Sequence, residues 1–136
     1  MAGVNVKWTG GKQFLAADQA GHVVVTDSEG QGFKPPDLML ASLVGCAGVD
    51  VVRILQKKRQ KFSSIEVKVD KQNAPDAPWP IEKVEVEWTV RGQGLKEKAV
   101  RDAVDLAELK YCSVSASMTS KLITTVRVIN EDEEAE

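Results

Sequence analysis

Two cysteines hold most of the reactive chemistry open to this chain. Cys46 lies in an apolar stretch with Asp50 four residues on and Arg53 seven, a spacing that lines all three along one stripe of a helix. Cys112 comes later, in Tyr111-Cys112-Ser113-Val114. One chemistry for such a pair is a redox cycle in which Cys46 attacks as a thiolate and Cys112 resolves the oxidised sulfur. The plainer reading makes each cysteine a small buried hydrophobe, the ordinary fate of a free thiol. Spacing alone does not separate the two. His22, the single histidine, could support a thiolate or could sit at a strand end with a local partner. A Cys–His hydrolase would also need an orienting partner and an oxyanion hole, and neither is evident. Seven residues set Arg53 about 10 Å along the axis from Cys46. An ion pair with Asp50 is therefore expected before any contact with the sulfur.

Those residues need a helix to carry them. Leu38, Met39, Leu40, Leu43, Val44, Val49, Val51, Val52, Ile54 and Leu55 crowd one segment. We read a long helix there, roughly Pro36 to Arg59, apolar nearly all round and so buried. Asp50, Arg53 and two glycines argue against a membrane span. Pro35-Pro36 suits the helix start, Asp37 its positive end, and Lys57-Lys58-Arg59 its negative end. Ala41, Gly45 and Gly48 remove bulk on adjacent turns, so another backbone could come close. We expect the helices of two copies to meet there, in a homodimer.

Strands surround this segment. Val4 to Trp8, Gln13 to Ala17 and His22 to Thr26 read as short strands before the helix. Ile65 to Val69 and Val84 to Val90 alternate apolar with charged residues, and the proline-rich Gln72 to Pro80 must be a loop between them. Leu95 to Lys110 has helical spacing, Tyr111 to Ser120 is a serine-rich connection, and Leu122 to Ile129 is a last strand. The sum is an α+β fold, with antiparallel strands packed around a long buried central helix plus a second helix. It fits one domain over residues 1–130, followed by an acidic tail, 131–136, expected to be frayed.

Composition removes several function classes. The 136 residues carry 18 Lys+Arg against 20 Asp+Glu, a net charge of −2 without the basic excess of a nucleic-acid binder. Two cysteines and one histidine cannot build a four-ligand Cys/His zinc site. No apolar leader opens the sequence, so the expected compartment is the cytoplasm, with no membrane partner. A disulfide there is more often catalytic than structural.

The run Lys34-Pro35-Pro36-Asp37-Leu38-Met39-Leu40-Ala41-Ser42-Leu43-Val44-Gly45-Cys46, followed by Asp50-Val51-Val52 and Ile54-Leu55, resembles the signature helix of the OsmC/Ohr family. Cys112 resembles the family's second cysteine, placed after the next long helix and before the last strand. Gly21-His22-Val23-Val24 is similar to a stretch in a less characterised branch. The resemblance covers about residues 20–128. It implies an intertwined homodimer and a thiol-dependent peroxidase acting on hydroperoxides, organic ones above all. Cys46 would form a sulfenic acid, Cys112 would condense with it to a disulfide, and a dithiol or lipoylated protein would reopen that bond. Neither a metal nor another cofactor is implied.

Two departures qualify the match. Family peroxidases hold the cysteine as thiolate with an arginine from the N-terminal strands and a glutamate at the head of the helix. Here the first arginine is Arg53. The glutamate column falls on Pro36, with Asp37 one place later, where the less characterised branch carries its acid. A buried thiol without a positive partner has a raised pKa, so another cation is expected, with Arg53 and His22 as candidates. The alternative function is a non-catalytic dimer of the same fold that binds a hydrophobic or thiol-reactive small molecule.

Overall fold

The computed structural model describes residues 3–131. The acidic tail expected at 131–136 therefore lies outside the described residues apart from Glu131. The chain forms two compact units, one ending at Ser42 and the other beginning at Leu43, with the boundary inside the central helix.

The first unit is an antiparallel meander of β1 (Asn5–Gly10), β2 (Gln13–Ala17) and β3 (Val23–Asp27), ordered as in the sequence. The β1–β2 turn needs left-handed backbone at Gly10 (φ 122°) and Gly11 (φ 53°), which glycine adopts without penalty. The β2–β3 turn is closed by Asp18, whose carboxylate accepts the backbone N–H groups of Ala20 and His22 at 2.9 Å. Val6, Trp8, Phe14 and Val23 on these strands are exposed.

Helix α1 spans Pro35–Lys57, close to the expected limits. Leu40, Leu43, Ala47, Val51 and Leu55, three or four residues apart, are buried. Burial stops at that stripe. Val49 is 58% exposed, and Ala41 and Gly45 are also open. Mean hydropathy over 18 residues of the helix is 1.9, as apolar as a membrane span. The buried stripe accounts for that apolarity on one face only.

The second unit continues from α1 through β4 (Lys61–Asn73), β5 (Ile81–Gln93), α2 (Glu97–Leu106), a π-helical turn (Ala107–Tyr111), α3 (Ser113–Ala116) and β6 (Lys121–Asn130). β4 pairs antiparallel with β5, and β6 joins the other edge of β5 in parallel. Apolar alternation does not encode strand direction, so the sequence left that parallel pairing unread. A parallel neighbour requires a long crossover, and α2, the π turn and α3 supply it. The serine-rich connection after Tyr111 thus includes a short helix. Along β5, Val84, Val86, Trp88 and Val90 are buried, and Val100, Ala103, Val104 and Ala107 of the crossover join them in the core. An open apolar groove remains beside that core, lined by Val44, Gly48, Val49 and Val52 of α1 with Ile65, Val67 and Trp88.

Gly92 sits where β5 passes an irregularity in β4 between Phe62 and Ser64. A Cβ there would overlap the Lys61 carbonyl oxygen and press on the Phe62 backbone. Neither is a side chain that can swing away. Gly92→Ala is expected to cost about 3 kcal/mol or more, measured as a fall in the urea midpoint, whereas Gly94→Ala meets no atom within 4 Å and suffers only from its positive φ of 62°.

Candidate active site

The crossover delivers Cys112 to α1. The N–H of Cys112 bonds the Ala107 carbonyl at 2.9 Å and closes the π turn. The residue then leaves the helical path (φ −79°, ψ 108°) and becomes the N-cap of α3, its sulfur accepting the Ser115 N–H at 3.3 Å. Its thiol, 3% exposed, reaches the Leu43 carbonyl of α1 at 3.7 Å. Cys46, one turn further along α1, is partly exposed, and both thiols are free. Its sulfur lies 3.8 Å from the Ser113 hydroxyl, on the residue next to Cys112.

The two sulfurs are driven in opposite directions. The Val114 N–H, the Cys112 thiol and the Ser113 hydroxyl, in that order, together with the Ser113 N–H, favour the charged form of Cys46 and hold its pKa below the ordinary thiol value. Burial pushes Cys112 up, and a charged neighbour at Cys46 adds to the effect. Of the two sulfurs, Cys46 is thus the one held toward the charged form and Cys112 the one held toward the thiol.

The expected cation is absent from this arrangement. Among the described residues, the groups that acidify Cys46 are amides, a hydroxyl and a thiol. Arg53 instead donates to Asp50 at 3.1 Å, the local ion pair its spacing suggested. His22 stands 2.8 Å from Asp18 through Nδ1, within its own turn, and holds that carboxyl below its ordinary pKa. Asp37 is exposed in the first turn of α1. Val114 went unnoticed in the sequence because it contributes through its backbone N–H, which every residue but proline carries, and Ser113 because its hydroxyl is one among several in a serine-rich connection.

Ser113 can be tested without disturbing the turn. Ser113→Ala removes only the hydroxyl and is expected to slow Cys46 alkylation at neutral pH several-fold. Ser113→Pro also removes the N–H. It fits the first position of a helix, and the extended Cys112 before it accepts a proline. The proline variant should therefore fold normally and react more slowly still, read from the rate of iodoacetamide labelling against pH.

Sequence reasoning also missed Glu108, in the π turn, which is 7% exposed. Its Oε1 accepts the Trp88 indole N–H at 2.8 Å, and its Oε2 accepts the Thr124 hydroxyl at 2.6 Å. Burial raises its pKa, opposed by those two hydrogen bonds. Between the ordinary glutamate value and the raised one, the folded chain holds a proton that the unfolded chain has released. Stability must then fall as pH rises through that window. Glu108→Gln should flatten this part of the profile, measured by urea unfolding at successive pH values.

The match to known proteins agrees with this geometry. The family model described as OsmC-like protein matches residues 28–127, and Protein YhfA of Escherichia coli (strain K12) is 38% identical over 112 residues, 81% of this chain and 84% of its own. The chain belongs to the OsmC-like family. Among solved structures, a hypothetical protein from Aquifex aeolicus VF5 superposes with a TM-score of 0.81 at 30% identity, covering 94% of this chain and 97% of that one. The organic hydroperoxide resistance protein OhrB of Bacillus subtilis shares the fold at a TM-score of 0.62 and 16% identity, over 94% and 97% of the two chains. The α+β fold found here is thus shared with a hydroperoxide resistance protein. In this OsmC-like chain the matched segment contains α1, the crossover and both cysteines.

Proposed function

We propose that this protein is a thiol peroxidase that reduces hydroperoxides, organic ones in preference. The observation that carries the reading is the seating of both cysteines on α1: Cys46, acidified by amide and hydroxyl donors, faces Ser113 at 3.8 Å, and the buried Cys112 beside Ser113 reaches the Leu43 carbonyl one turn away. The Cys46 thiolate attacks the terminal peroxide oxygen. The O–O bond breaks, the alkoxide leaves and takes a proton to become the alcohol, and the sulfur becomes a sulfenic acid. The Cys112 sulfur then displaces the sulfenic oxygen as water, and a Cys46–Cys112 disulfide forms. A dithiol, free or lipoyl-bound, returns both thiols by exchange while its own sulfurs are oxidised to a disulfide.

Apolar surroundings on α1 favour an alkyl peroxide over hydrogen peroxide. The exposed apolar residues of the meander and the open side of α1 favour a homodimer, which we propose to be built of single-domain chains and to act in the cytoplasm. A monomer in sedimentation at micromolar concentration would overturn the dimer. For the cycle itself, one equivalent of tert-butyl hydroperoxide should convert the protein to a species two hydrogens lighter, with the Cys46 and Cys112 peptides joined. Oxidation without that link would overturn it.

That no cation is among the described groups acidifying Cys46 favours a second reading, an OsmC-like dimer that binds a hydrophobic or thiol-reactive molecule without turnover. Cys46 would then be no faster than a free cysteine peptide toward iodoacetamide at neutral pH.

A further inference from the structure

Glu108 is the buried titratable group that the thiol chemistry leaves unused. Its two hydrogen bonds tie the crossover to the sheet at neighbouring strands, Trp88 in the middle of β5 and Thr124 on β6. Each carboxyl oxygen thus has a hydrogen-bond partner, as a buried polar group requires. Its place in the chain is equally specific. Glu108 lies inside the π turn, and that turn hands the Cys112 N–H to Ala107 rather than to Glu108, the acceptor an α-helix would use. Such turns are rare, and frequent at functional sites.

We infer that Glu108 is a positioning residue for Cys46: its clamp on Trp88 and Thr124 fixes the π turn, and so sets the Cys112–Val114 backbone that faces the reactive sulfur. The clamp works through hydrogen-bond geometry rather than through charge, since Glu108 is not among the groups that act on Cys46 directly. Glutamine can do the same, its oxygen accepting from Trp88 and its amide donating to the Thr124 hydroxyl. Leucine fills the space and makes neither bond. The inference rests on Cys46 being the reactive thiol proposed above.

The test follows Cys46 labelling by iodoacetamide against pH in the full-length protein, with the modified cysteine located by peptide mass and folding checked by circular dichroism. Glu108→Gln is expected to keep the wild-type profile. Glu108→Leu should move the profile to higher pH and slow labelling at pH 7 by about tenfold, and Thr124→Val, which keeps the carboxylate and loses one bond, should slow it several-fold. A folded leucine variant with the wild-type profile would overturn the inference, as would a glutamine variant as slow as leucine. Should the leucine variant fail to fold, Thr124→Val decides, and an unchanged profile there counts against the clamp. Labelling needs no peroxide, so absence of turnover in the wild type would count against the peroxidase and leave this result standing.

Discussion

Cys46→Ser is expected to lower the steady-state consumption of tert-butyl hydroperoxide, with a dithiol as reductant, by at least about a thousandfold. A serine hydroxyl in the same place meets the same donors, but it is scarcely ionised near neutrality and cannot be oxidised to a sulfenic acid. Cys112→Ser should behave differently. It retains the attacking sulfur, so one equivalent of peroxide is consumed rapidly and a sulfenic acid accumulates, open to trapping by dimedone. Catalysis then slows, because the internal partner that would convert the sulfenic acid to a disulfide is gone. The contrast between total loss and a single fast turnover is the signature of two unequal thiols. Equal, complete loss in both variants, with both folded, would contradict the assigned order of attack. Comparing tert-butyl hydroperoxide with hydrogen peroxide in the wild type measures how strongly the apolar surroundings select.

The largest expected effect on stability is at Trp88. The side chain is 1% exposed at the centre of β5, and Trp88→Ala removes more packed volume than any other single truncation of that strand. A cost of about 3–5 kcal/mol is expected from burial and cavity together. A second loss adds to it, because the indole N–H is one of two donors to the buried Glu108 carboxylate. Trp88→Phe separates the two contributions. Phenylalanine keeps much of the packing and loses the donor, so its deficit should shrink when Glu108 is changed to glutamine in the same chain. Urea unfolding of the four combinations provides the cycle. Strict additivity would show that the hydrogen bond carries little of the effect.

Much of this fold is visible in short-range patterns. Val84, Val86, Trp88 and Val90 alternate with Glu85, Glu87 and Thr89, and all four apolar residues are buried. The crowd of apolar residues from Leu38 to Leu55 marks α1 within two residues at its end. The Asp50–Arg53 ion pair follows from helical spacing. Other features have no such imprint. Apolar residues at 100, 103, 104 and 107 continue the stripe of α2 smoothly into the π turn, so nothing in the sequence announces the change of hydrogen bonding at Leu106. The pairing of Cys46 with Cys112 came from family resemblance, since distance along a chain says little about distance in space. The sequence points to a cation beside Cys46, whereas the leading contribution is the Val114 amide, which has no residue-type signature, followed by the Cys112 thiol and the Ser113 hydroxyl. Glu108 looks like one more solvated charge on an amphipathic helix until its partners on β5 and β6 are seen.

The parallel seating of β6 has a consequence for the order of events in folding. A hairpin such as β4–β5 closes locally, but β6 can find β5 only after the whole crossover has been laid across the sheet, and pairings of that range close late. The amides that acidify Cys46 belong to that crossover. A chain that has formed α1 and the hairpin, yet has not docked its last strand, thus carries Cys46 as an ordinary cysteine, mostly protonated at neutral pH. In the cycle proposed above, the attacking thiol gains its acidifying donors only when the fold is complete.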